Sequence, residues 1–136
     1  MRNVFYARSG MGRKVRAQAL VASDGLSARY DLDRIRGVFS RPEHKLAGES
    51  YRGRVLVLDA AKGGVATAWM LHEMKARGVM PAALVLNRAN PIMVQGAAFA
   101  DFTMISGFDL DITKAIANGA EVEIDPAAER PFIRVL

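Results

Sequence analysis

The sequence predicts a mixed α/β domain, with antiparallel strands early and β–α units late. Two unbroken apolar runs, Val55–Leu58 and Ala82–Leu86, read as strands buried on both faces, the habit of a parallel sheet. Between them Thr67, Met70, Leu71 and Met74 recur at i, i+3, i+4 and i+7, one stripe of a helix. A chain of 136 residues is the usual size of one domain, about 100–150 residues.

In chain order, residues 1–16 read as a basic arm. Arg2, Arg8, Arg13, Lys14 and Arg16 stand there without an acid. The single folded domain is expected over residues 17–136. Ala17 to Ser23 reads as a strand ending in an Asp24-Gly25 turn. Leu26–Tyr30 and Ile35–Ser40 are candidate short strands. Residues 41–53 form a loop punctuated by Pro42, Gly48 and Gly53. The strand Val55–Leu58 leads into a helix from Gly64 to Arg77, with Gly78 placed to end it and Pro81 to bar continuation. Trp69 on that helix is expected in the core, with a place in the lining of a substrate pocket as the alternative; Met70 and Met74 are expected in the core. After the strand Ala82–Leu86, Asn90-Pro91 is a helix start, Asn as N-cap and Pro at the first helical position. That helix runs toward Ala100, followed by a strand at Phe102–Ile105. Asp109 or Asp111 caps a last short helix closed by Asn118-Gly119. Ala120–Ile124 and Phe132–Leu136 are the final strands.

Composition narrows the chemistry. Apolar residues make up 51 % and charged residues 24 % of the chain, ordinary for a globular protein. There is no cysteine, which excludes disulfides, thiolate metal sites, a cysteine nucleophile and a self-ligated iron–sulfur cluster. Two histidines leave no basis for a histidine metal site, so no metal ligand is expected on this chain. The missing cysteines fit a reducing cytoplasm. No apolar run reaches the ~18–20 residues a membrane span needs. Up to Arg54 the chain has twelve basic and five acidic residues; the rest has seven and nine. That local basicity suits a solvated tail or an acidic partner better than nucleic acid. Only Phe5 and Tyr6 would supply the aromatic stacking that a nucleic-acid stripe interleaves.

The stretch Asp59-Ala-Ala-Lys-Gly-Gly-Val-Ala-Thr-Ala-Trp69 is the main candidate site. Glycines let backbone N–H groups approach a ligand, and the following helix N-terminus adds partial positive charge. Lys62 adds a full charge beside Gly63 and Gly64, which suits a carboxylate or phosphate. The spacing is neither a P-loop nor a dinucleotide fingerprint, so the same residues also fit a plain turn. Thr67 is the hydroxyl nearest this turn. Asn87-Arg88 ends a buried strand, where α/β sheets place ligands, and Arg88 has the fork to take a carboxylate. His44 sits in Arg41-Pro-Glu-His-Lys45, either exposed in the loop or touching substrate.

From Ala19 to the C-terminus the pattern resembles the small subunit, or swivel domain, of the aconitase X family. The resemblance rests on ALVASDGLS, HKLAGES, YRGRVLVL with its glycine turn, RGVMPAALVLNRANPI and QGAAFAD, in that order. It implies an aconitase-like swivelling β/β/α domain, with a mixed sheet or partly closed barrel flanked by short helices. It implies the small subunit of a heteromeric hydro-lyase that dehydrates a small hydroxy acid. This chain is then expected to close over the active site of a large subunit carrying an iron–sulfur or iron centre, and to be inactive alone. A hydroxyproline-like substrate is favoured and phosphomevalonate is the other candidate. Substrate binding is expected at Lys62, Gly63, Gly64, Arg88 and His44. Family members carry a glycine-arginine-glycine turn followed by serines, one of which is the catalytic base. Here Lys62 matches the arginine and Gly63 the second glycine, but Gly64, Val65 and Ala66 replace the serines. Thr67 is the remaining catalytic candidate; the alternatives are a base from the large subunit, or a non-catalytic interaction module that has lost the serine.

Overall fold

A computed structural model describes residues 3–26, 31–61 and 65–136. The chain begins with β1 (Val4–Tyr6), β2 (Ser9–Met11) and β3 (Val15–Val21), then a small hairpin of β4 (Leu32–Asp33) and β5 (Val38–Phe39). Next come β6 (Val55–Ala60), α1 (Val65–Ala76), β7 (Ala83–Arg88) and α2 (Pro91–Phe99). The last elements are β8 (Met104–Ser106), α3 (Ile112–Ala115), β9 (Glu121–Asp125) and β10 (Phe132–Val135). The mixed α/β expectation therefore holds: β3 and the elements from β6 onward lie within a few residues of the bounds read from the sequence, whereas β1, β2 and β4 fall where no strand was expected.

Eight strands make one mixed sheet in the order β1-β10-β9-β3-β6-β7-β8-β2. β3, β6, β7 and β8 run parallel, and every other pairing in the sheet is antiparallel. Only Ala7 and Arg8 separate β1 from β2, yet these strands stand at opposite ends of that order. The sheet must therefore curl until its edges approach. The Ala7 N–H donates to the Pro131 carbonyl at 2.8 Å, and the next N–H, of Arg8, donates to the Gly107 carbonyl at 2.8 Å. Gly10 on β2 lies so close to the β9–β10 turn that a Cβ there would stand 2.9 Å from the Pro126 carbonyl oxygen. The result is a partly closed barrel.

This closure corrects the expectation of a basic arm at residues 1–16. Phe5, 5 % exposed, and Ala7 point into the barrel, while Arg8, Arg13, Lys14 and Arg16 face solvent. Arg2 lies outside the described residues. Two three-residue strands are too short to show a period, so the arginines dominated the local pattern. Of the candidate strand Leu26–Tyr30 only Leu26 is described; it bridges to Ala61.

The parallel strands separate two apolar layers by simple alternation. Val55, Val57, Ala83 and Val85 fill the barrel with Phe5, Ile105, Val122, Ile124 and Ile133. Leu56, Leu58, Leu84 and Leu86 face outward, against Leu71 and Met74 of α1 and Ala97 of α2. Ile112 and Ile116 belong to the inner layer, so α3 plugs the barrel end at which β6 and β7 finish.

Trp69 corrects a second expectation: it is 69 % exposed, edge-on to His72 at 6.3 Å between ring centroids. A helix turns about 100° per residue, so Trp69 points well away from Leu71, which is buried. Met70 is partly buried against the outer layer.

Candidate functional site

β3, β6 and β7 end side by side, and their polar terminal residues meet there. Asp24 follows β3, Asp59 closes the apolar run of β6, and Asn87-Arg88 ends β7. The Asp59 N–H donates to the Asp24 carbonyl at 2.8 Å, which ties the first two ends together. Asn87 joins the others. Its Nδ2 donates to Asp59 Oδ1 at 3.0 Å and to Asp111 Oδ1 at 2.9 Å, while its Oδ1 accepts the Ile112 N–H at 2.8 Å. One amide thus links β6, β7 and the start of α3.

Asp111 is the N-cap of α3, and its Oδ1 accepts the Thr113 N–H at 3.0 Å. The Thr113 hydroxyl donates to the same oxygen at 2.6 Å. That hydroxyl, then the Asn87 amide, hold the Asp111 carboxyl below its ordinary 3.8 against the opposing effect of burial. For Asp24 burial pushes the pKa upward. The N–H groups of Lys45 and Gly25, with the nearby His44 ring and the Arg41 charge, outweigh it and leave the group lowered. These two carboxylates are fixed acceptors at neutral pH and not proton donors.

Arg88 is where the sequence places it, exposed at the rim with Nη2 3.3 Å from Asp59 Oδ2. A guanidinium has five N–H donors, so this contact leaves a face for a second carboxylate. Lys62, Gly63 and Gly64 lie outside the described residues. The chain enters that stretch from Ala61, whose N–H is 3.4 Å from the Arg88 carbonyl, and re-emerges at Val65. Thr67 falls in the first turn of α1. The candidate turn thus departs from the same corner as Arg88, Asp59 and Asn87.

His44 corrects a third expectation, since the loop around it is not open. The residue is 3 % exposed and its ring stacks on Phe39 at 4.6 Å. Nδ1 accepts the Leu46 N–H at 3.0 Å, and Nε2 lies 2.8 Å from the Gly25 carbonyl. A nitrogen that accepts carries no proton, so the ring is the neutral Nε2–H tautomer donating to Gly25. With both nitrogens engaged, His44 braces the segment behind Asp24.

Sequence reasoning missed Asp59 and Asp111 as members of the site, and Asn87 as its hub. A signal was present: each buried run, VLVL and ALVL, ends in a polar residue at the carboxyl end of its strand. Among the described residues no three His, Asp or Glu side chains are placed to hold a metal ion. No helix among them is long and apolar enough to cross a membrane.

The family model described as "Aconitase X swivel domain" matches residues 4–134. The phosphomevalonate dehydratase small subunit of Methanopyrus kandleri is 34 % identical over 115 residues, 85 % of each chain. That of Thermococcus sibiricus is 32 % identical, covering 87 % of this chain and 88 % of the relative. Among solved structures, Thermococcus kodakaraensis aconitase X in its holo-form superposes with a TM-score of 0.88, at 24 % identity over 99 % of both chains. A UPF0107 protein solved by solution NMR gives 0.84 over 98 % of both, also at 24 % identity. The last two matches establish the fold, and the first three establish kinship: this chain belongs to the aconitase X swivel-domain family.

Proposed function

We propose that this chain is the small subunit of an aconitase X-type dehydratase, removing water from a small hydroxy acid together with a large subunit. The observation that carries the reading is the corner itself. Arg88, the Asp59–Asn87–Asp111 network and the entry to Lys62-Gly63-Gly64 converge at the carboxyl ends of parallel strands. Such a corner offers fixed donors to a carboxylate. Between the two candidate substrates, the names of the two reported relatives support the one placed second from the sequence. Both are named for phosphomevalonate, so phosphomevalonate is the substrate proposed here and a hydroxyproline-like acid the second choice.

In this reading Arg88 and Lys62 hold the substrate carboxylate, and the N–H groups of Gly63 and Gly64 add to its binding. Thr67 is the candidate base of this chain, to be weighed against a base on the large subunit. A base must reach about 2.6–3.2 Å from the proton it takes, directly or through one water. The chain has no cysteine, so an iron–sulfur or iron centre belongs on the large subunit. When bound there, such a centre supplies Lewis-acid withdrawal of the departing hydroxyl.

The test is co-expression of the tagged chain with an aconitase-like large subunit, followed by an anaerobic, iron-supplemented assay of water loss from 5-phosphomevalonate. The complex is expected to turn over, and Lys62→Ala to lower kcat/KM at least about tenfold, equivalent to ~1.4 kcal/mol of transition-state binding. A complex that forms but is inert on both substrate classes is the result expected of a non-catalytic swivel module. The replacement of the serines by Gly64, Val65 and Ala66 is what gives that second reading its weight.

A further inference from the structure

Beside the candidate corner, at the carboxyl end of β3, lies an open cleft of about 410 Å³ between α3 and the loop of residues 41–50. Its apolar wall is Val21, Ala22, Leu46 and Ile116, and its polar rim carries Ser23, Lys45 and Asn118. We propose that this cleft binds a phosphate monoester through Lys45, Ser23 and Asn118, and so forms the distal-phosphate subsite of the substrate. Only the identity of the phosphate's carrier rests on the dehydratase reading.

The argument is a count of donors. Lys45 Nζ donates to the Ser23 carbonyl at 3.0 Å and to Ser23 Oγ at 2.9 Å. An ammonium has three N–H groups, so one remains. Both its acceptors are neutral, and Lys45 makes no ion pair among the described residues. Glu49, the one acid on the cleft wall, is turned to Arg54 at 3.6 Å. Asp24 Oδ2 is taken up by the backbone N–H of Lys45 at 3.2 Å. The Lys45 ammonium thus has a donor to spare and no carboxylate in contact with it among the described residues.

Its neighbours have the same polarity. Ser23 Oγ accepts from Lys45, which leaves its O–H to donate outward. Asn118 Oδ1 accepts the Val21 N–H at 2.9 Å, which leaves its NH₂ as a donor. Thr113, on the same wall, gives its hydroxyl proton to Asp111 and so is not counted among the donors of the cleft. A cation and two neutral donors above an apolar floor match a phosphate carried on a short carbon chain. The position also fits. Ser23 precedes Asp24, whose carbonyl takes the Asp59 N–H, so the cleft adjoins the corner proposed to hold the carboxylate. At about 410 Å³ the cleft falls within the ~300–1,000 Å³ usual for small-molecule sites.

Two arms test this. In the first, inorganic phosphate is titrated into the full chain and followed by amide NMR. Saturable shifts are expected at Ser23, Lys45 and Asn118, weakened at least about tenfold in Lys45→Met and largely kept in Lys45→Arg. Absence of those shifts, or equal affinity in Lys45→Met, overturns the subsite. In the second, the complex with the large subunit is assayed on 5-phosphomevalonate. Lys45→Met is expected to raise KM about tenfold while kcat changes less than about twofold, the mark of lost uniform binding. An unchanged KM overturns the proposal. Phosphate binding at the cleft in a complex that does not dehydrate phosphomevalonate supports the subsite while overturning the dehydratase reading.

Discussion

Asp111 shows how one side chain can couple the site to pH. Its carboxyl is the N-cap of α3 and also an acceptor for Asn87 and for the Thr113 hydroxyl. All three contacts favour the ionised form, and the folded pKa lies below 3.8. A lowered folded pKa gives stability that is fully present above the unfolded value and lost as pH falls through the folded one. The junction at α3 is therefore expected to stay intact through mildly acidic pH and to loosen only below 3.8. A carbon-detected NMR titration of the Asp111 carboxyl checks this. Its midpoint should fall below 3.8, and in Thr113→Val it should move up, because the largest of the stabilising contacts is gone. Equal midpoints in the two proteins would show that the hydroxyl does not set the shift.

At the scale of elements, Asn87 is the joint between two strands and a helix. Removing its amide leaves the Ile112 N–H, on a buried residue, without its acceptor. An unsatisfied buried donor costs about 1–3 kcal/mol. Asn87→Ala should therefore lower the unfolding free energy by that order and raise amide exchange at Ile112 and Thr113, while exchange in β9 and β10 follows only the global change. Unaltered exchange at Ile112 would mean that the helix plug is held by its apolar contacts alone. The same joint shows what sequence could and could not convey. β6 and β7 were legible as unbroken apolar runs and α1 by its helical stripe, while the Asn90-Pro91 start of α2 and the Asp111 cap are local chemical signals. The Asn87–Asp59–Asp111 network was not legible, since it joins residues 24 and 28 positions apart through side chains. Lys45 and Ser23 meet across 22 positions for the same reason. His44 misled because a loop histidine looks exposed until the fold lays Phe39 and Gly25 against it.

For the whole molecule the decisive feature is closure, and it depends on the segment that looked most dispensable. β1 extends the β10 edge and β2 extends the β8 edge, so residues 4–11 cover both rims of the curled sheet. The turn after β2 is fitted equally closely. Gly12 has φ +96°, and a Cβ there would stand 2.5 Å from the Thr103 backbone. Next to it the Arg13 N–H donates to Thr103 Oγ1 at 3.0 Å, and that hydroxyl donates back to the Arg13 carbonyl at 2.8 Å. A solvated arm could be cut away without effect. A closing segment cannot, because its removal uncovers two strand edges and empties the place of Phe5 in the barrel. Deleting residues 1–11 should therefore abolish cooperative thermal unfolding or drive the chain into aggregates. Phe5→Ala isolates the packing contribution while leaving the strands in place, and it should cost about 3–5 kcal/mol in a denaturant titration. A truncated chain that melts as sharply and as high as the full one would restore the arm, and the sheet would then have to close without its first two strands. If instead both variants lose stability as expected, the basic residues at 8, 13, 14 and 16 are the outer face of a structural seam, and their charge needs no nucleic-acid partner to account for it.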